Sequence, residues 1–124
     1  MEIIDKIKNA LQSFQIPIYE PLDPETEYEH AIIIDAGSAD REKTVTLGIN
    51  KYTLNIDIFY LKRKKNTNIE NFKDQAFAIL KKLENLKAPY IERFEFANII
   101  INSSEYITFL ISLKTAVMSN ELEE

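Results

Sequence analysis

Four consecutive cations, Lys62-Arg63-Lys64-Lys65, close a segment that alternates apolar and polar residues from Gly48 onward. Such a cluster can hold a phosphate backbone by displacing counterions. Stacking aromatics interleaved with the charges would strengthen that chemistry, but alternation sends the nearby Phe59 and Tyr60 to opposite faces. The same cluster at a strand end keeps the strand soluble and unpaired. A third role is a charged protein contact. Glu20, Asp23, Glu25, Glu27 and Glu29 form an acidic stretch, and its meeting with the cations across two copies of the chain would set orientation and encounter rate more than affinity. The residues expected at such an interface are Lys62, Arg63, Lys64 and Lys65 with Glu25, Glu27 and Glu29. The five acids lack the Asp-x-Asp-x-Asp-Gly spacing of a calcium loop, so no metal site is expected. His30 is the only histidine. Acid–base catalysis needs a partner within hydrogen-bond reach; with Glu27 and Glu29 its only neighbouring acids, His30 reads as a solvated loop residue.

Ile33-Ile34-Asp35-Ala36-Gly37-Ser38-Ala39-Asp40 resembles the Asp-Thr-Gly or Asp-Ser-Gly turn of aspartic proteases, especially the short retroviral type that pairs two chains. Two Asp carboxylates share a proton in such a site because neighbouring like charges cannot both ionise. Here the adjacent hydroxyl position is Ala36, and no glycine follows Gly48 to build the family's downstream segment. That fold is also nearly all β. The residues themselves read as a turn at Gly37, and no catalytic residue is assigned.

The elements that would position these groups follow from periodicity. Ile3, Ile4, Ile7, Ala10, Leu11 and Phe14 share one face of a helix over 2–14, which Pro17 ends. Residues 16–19 suit a short edge strand, and 20–29, with Pro21 and Pro24, an extended loop. Residues 31–35 read as a buried strand, 36–43 as a loop and 44–47 as a strand start. Tyr52, Leu54, Ile56, Ile58 and Tyr60 then alternate with Lys51, Thr53, Asn55 and Asp57. Phe59 and Leu61 interrupt the polar face, leaving a partly exposed apolar end to which an adaptor module could bind a partner. Thr67 and Glu70 form a capping box for a helix whose stripe is Ile69, Phe72, Ala76, Ile79, Leu80, Leu83 and Leu86. Lys81, Lys82 and Lys87 suit its C-terminal end, and Pro89 stops it. A hairpin follows, 92–102 and 105–117, turning at 102–105. In it Ile107, Phe109, Ile111 and Leu113 share a face. Phe94 and Phe96 oppose Ala97, Ile99 and Ile101, which implies either a bulge near Ala97 or burial of both faces. The expected fold is α+β, a mostly antiparallel four- to five-stranded sheet with two helices packed on one face. It forms one domain over 1–118, with a frayed acidic tail at 119–124.

The 124 residues suit one hydrophobic core. A net charge of −5 argues against a general nucleic-acid binder. The absence of cysteine excludes thiol chemistry, and two glycines are too few for a phosphate-cradling loop. Met1–Phe14 lacks the continuous apolar run of a signal peptide, and no stretch approaches the ~20 apolar residues of a membrane span.

Taken together, the opening helix IIDKIKNALQSF, the acidic PLDPETEYEHAIII, the strand YTLNIDIFYLK, the helix NFKDQAFAILKKLENL and the hairpin FEFANIIINSSEYITFLISLKTAV form a layout that resembles the tail terminator and tail-completion proteins of long-tailed bacteriophages, prophages and phage-derived tail particles. The likeness is one of order and size and transfers no single residue. It implies a non-enzymatic structural protein without cofactors. Such a protein forms a homo-oligomeric ring, commonly a hexamer, that caps the tail tube and meets the head-side connector. The expected partners are other copies of the chain, the tail-tube protein and the connector, with no membrane and no sequence-specific nucleic acid. The expected location is the virion tail, assembled in the host cytoplasm.

Overall fold

The computed structural model describes residues 2–42, 51–86 and 88–118. Helix α1 (Glu2–Leu11) tightens into a 3-10 turn (Gln12–Phe14) that ends at Gln15 with φ 59. Five strands follow around a second helix: β1 (Ile18–Tyr19), β2 (His30–Glu42), β3 (Lys51–Arg63), α2 (Ile69–Glu84), β4 (Tyr90–Ile101) and β5 (Ser104–Met118). The sheet order is β1-β2-β3-β5-β4. β1 runs parallel to β2, meeting it only at Ile32 and Ile33; the remaining pairs are antiparallel. The class is α+β, with a mostly antiparallel five-stranded sheet.

Alternation along β3 builds the main core. Leu54, Ile56, Ile58 and Tyr60 join Ile32 and Ile34 of β2 and Phe109, Ile111 and Leu113 of β5 in one buried cluster. Ile4, Ile7 and Leu11 of α1 and Phe72, Ala76, Ile79, Leu80 and Leu83 of α2 belong to the same cluster. The stripes at steps of three and four are thus what each helix contributes to the core.

Four local expectations change. Residues 36–42 are not a loop: β2 continues through Glu42, and its register against β3 shifts between Asp35 and Ser38. A bulge sets Ala36 and Gly37 opposite the single residue Ile56, one residue extra, which explains why this stretch interrupts the alternation without breaking the strand. The helix cap lies one residue later than the capping box predicts. Asn68 is the N-cap, its side chain accepting from the Asn71 amide at 3.1 Å, while the Thr67 hydroxyl donates to the Arg63 carbonyl. The hairpin turn is tighter than 102–105. Ile101 pairs with Ser104, and Asn102 and Ser103 take φ 49 and 67, the paired positive φ of a two-residue hairpin loop. In β4 the register shift falls between Ile91 and Arg93, not near Ala97. The strand start at 44–47, Lys87 and the tail at 119–124 lie outside the described residues.

The sheet's other face carries a second, smaller core. Ala31, Ile33, Leu61, Ile101 and Tyr106 are buried there under Tyr28, with Leu22, Phe59 and Ile99 against them. The Tyr106 hydroxyl donates to the Tyr28 carbonyl at 2.5 Å, and the Tyr28 hydroxyl accepts from the Asp23 amide at 3.0 Å. Asp23 also accepts from the Glu25 amide and the Thr26 hydroxyl. The 20–29 segment is therefore a strap folded onto the sheet. Its first acid is tied as well, Glu20 pairing with Lys8 at 2.8 Å.

Candidate functional site

Leu61 is fully buried and Phe59 half-buried beneath the 20–29 strap. Of the apolar strand end expected to be partly exposed at these two residues, Phe59 remains partly exposed while Leu61 is interior, because Tyr28 and Leu22 pack over it. His30 is likewise no solvated loop residue. It opens β2 and shares a 2.8 Å hydrogen bond with the Tyr60 hydroxyl. Burial, with the charge of nearby Lys62, lowers its pKa from 6.5. Burial also pushes the Tyr60 phenol up to about 12, and its ring stacks on Phe72 at 4.6 Å. A neutral imidazole on a neutral phenol, backed by an aromatic stack, is a packing arrangement. Among the described residues no carboxylate shares a hydrogen bond with His30 to orient it as a base.

The cations and acids meet inside one chain. The Arg63 amide donates to the Glu29 carbonyl at 2.9 Å, and its guanidinium lies 3.3 Å from the Glu29 carboxylate. The guanidinium carbon also stands 6.0 Å from the Tyr106 ring centroid. Lys64 pairs with Glu105 at 3.2 Å. Lys62 lies opposite His30 in the β2–β3 register. Lys65, Glu25 and Glu27 are exposed. Arg63, Lys64, Lys65, Ser104 and Glu105 rim an open depression of about 450 Å³, in which Glu105 offsets part of the positive charge. The basic turn and the strap thus clamp each other, through pairs whose partly exposed side chains stabilise only weakly.

Asp35 lies beside a strand bulge and directly opposite Asp57 in the register of β2 and β3. Asp57 accepts a 3.0 Å hydrogen bond from Ser112. Among the described residues no group of three or more His, Asp or Glu side chains converges to hold a metal ion. None of their helices is long and apolar enough to cross a membrane.

The feature with the greatest capacity to act on another molecule lies at the opposite edge of the sheet from β1. β4 is an edge strand. On its helix-side face Phe94 and Phe96 remain 49% and 38% exposed, and Phe77 of α2 beside them 47% exposed. The three rings cluster on buried Phe109, with centroids at 5.7 Å from Phe94, 4.5 Å from Phe96 and 5.9 Å from Phe77. Next to them an open depression of about 480 Å³ is lined by Leu86, Pro89, Tyr90, Ile91 and Phe94 together with the charged Glu84, Glu92 and Arg93. Further along the same face Ile100 is 75% exposed. A long, apolar edge strand is a ready template for another chain.

Sequence reasoning places Phe94 and Phe96 on one face of β4 and Ile99 and Ile101 on the other, as observed. It omits Phe77, which lies off the α2 stripe, and Arg93. The available signal was the apolar residues Phe94, Phe96 and Ile100 at steps of two on one face of β4, which the chain leaves exposed. Comparison with models of known protein families and with curated proteins finds no match.

Proposed function

We propose that the chain is a non-enzymatic structural protein that works as a ring of its own copies, a tail terminator or tail-completion protein of a phage or prophage. The ring caps the tail tube and offers a surface to the head-side connector. The observation that carries this reading is the row of half-exposed phenylalanines along an open sheet edge. The layout of helix, strap, long strand, helix and hairpin supports it.

Magnitudes decide how such a surface works. Covering the exposed parts of Phe77, Phe94 and Phe96 removes about 250 Å² of apolar surface from water, worth about 6 kcal/mol. Association costs roughly 4–15 kcal/mol in lost freedom. The rings alone therefore reach only the low end of what docking requires, and hydrogen bonds along the strand edge must add to them. A ring multiplies the contact, since closure makes the last interface intramolecular.

The test is light scattering and negative-stain electron microscopy of the full chain, alone and with a phage tail-tube protein. The expected result is closed rings, and shorter tubes when the chain is added during tube polymerisation. Lone molecules in both settings, with tube length unchanged, would contradict the reading.

A further inference from the structure

The sheet has a second open edge. β1 meets β2 only at Ile32 and Ile33, so among the described residues no strand lies outside β2 over 34–42. The four long strands alternate in direction, which makes the two edges, β2 and β4, antiparallel to each other. A second copy set alongside in the same orientation therefore brings its β2 edge antiparallel to the first copy's β4. Its helices stay on the same side of the joined sheet. Antiparallel pairing is the more stable kind.

One level across the sheet sets the register. Asp35 pairs with Asp57, Asp57 with Ser112, and Ser112 with Arg93. All four alternate away from the helix-side cluster, since Ile34, Ile58 and Ile111 belong to it. The row begins with an acid at one edge and ends with a base at the other. Within the chain Asp35 faces the like charge of Asp57, a destabilising cross-strand pair. Arg93 forms no ion pair with the described residues. Copies side by side at one level place Arg93 against Asp35 of the next copy and complete both groups.

We propose that successive copies join edge to edge, β4 of one against residues 34–42 of β2 in the next, with Arg93 seated on Asp35 of that copy. This rests on the ring reading above and adds the receiving surface. The contact is head-to-tail, the type that closes into rings. A β4–β4 contact would instead stop at a pair.

The chain has no cysteine, so Asp35→Cys with Arg93→Cys makes a clean crosslinking pair. Within one chain the two positions lie three strand spacings apart, about 14 Å, beyond the roughly 7 Å limit of a disulfide. Any link is therefore between copies. On oxidation of the full chain, the double variant is expected to give a ladder of linked species on a non-reducing denaturing gel, collapsing on reduction. Each single variant is expected to give none, and the two mixed singles linked pairs only. Arg93→Asp should weaken association about tenfold, and adding Asp35→Arg should restore it to within about threefold. Linked pairs from Arg93→Cys alone would overturn the proposal in favour of a β4–β4 dimer. An unlinked double variant that still forms rings would overturn the edge pairing and leave the ring reading standing. An unlinked double variant, with wild-type chain that remains single alone and with the tube protein, would overturn both.

Discussion

At the scale of single residues, burial governs His30 more than any charge does. Its folded pKa lies below 6.5, first through burial and then through Lys62. The unfolded chain takes up a proton at the ordinary value while the folded chain resists it. This contribution to stability is complete above about pH 6.5 and is lost as pH falls through the folded value. In His30→Gln the fall in urea midpoint between about pH 7 and pH 5 should be shallower than in the wild type; equal slopes would show that His30 does not couple folding to protons. Thr108 offers a second handle. It is 1% exposed, and among the described residues its hydroxyl has no hydrogen-bond partner. Thr108→Val keeps the shape and removes an unpaired polar group, so it should raise unfolding free energy by about 1 kcal/mol. A loss of similar size in denaturant titration would mean that the hydroxyl is satisfied. Neither residue stands out in the sequence. A lone histidine after an acidic stretch reads as loop, and only the cross-strand neighbour Tyr60 reveals its burial.

At the scale of elements, the helices were legible because their apolar stripes are regular, and β3 because its alternation is. What escaped was held by contacts distant in sequence. The 20–29 segment reads as solvated by composition, yet Tyr28 and Leu22 fold it over Leu61 and Phe59. The hydrogen bond that pins it comes from Tyr106, 78 residues away. Tyr106→Phe should cost about 1–2 kcal/mol and speed amide exchange at Asp23, whose N–H donates to Tyr28. Unchanged exchange would show that the strap is held by apolar packing alone. Residues 36–42 escaped for a different reason: a bulge at Ala36 and Gly37 resets the alternation, so a period-two reading stops at Asp35. At α2, two competing caps stand side by side. Asn68→Ala should lower stability by about 1 kcal/mol, and Glu70→Ala by only a few tenths through the helix dipole. Equal losses would restore the Thr67–Glu70 capping box.

At the scale of the whole molecule, the class of fold was legible and the candidate surface only half so. Phe94 and Phe96 were placed on one face of β4, but which strand would be an edge depends on sheet order. That order puts β5, the last strand in sequence, between β3 and β4. A contact between copies is one of three readings open to the cation run and the acidic stretch, and within one chain Arg63 already meets Glu29. Charge reversal at Lys64, which pairs internally with Glu105, should accordingly leave assembly unchanged while Arg93→Asp disrupts it. The central claim is that copies dock through the aromatic edge of β4. Multi-angle light scattering across a concentration series, alone and with a phage tail-tube protein, tests it most directly on the wild-type chain and on Phe94→Ser with Phe96→Ser. The account predicts a ring mass for the wild type and a single-chain mass for a folded double-serine variant. The same ring mass from both proteins would contradict it.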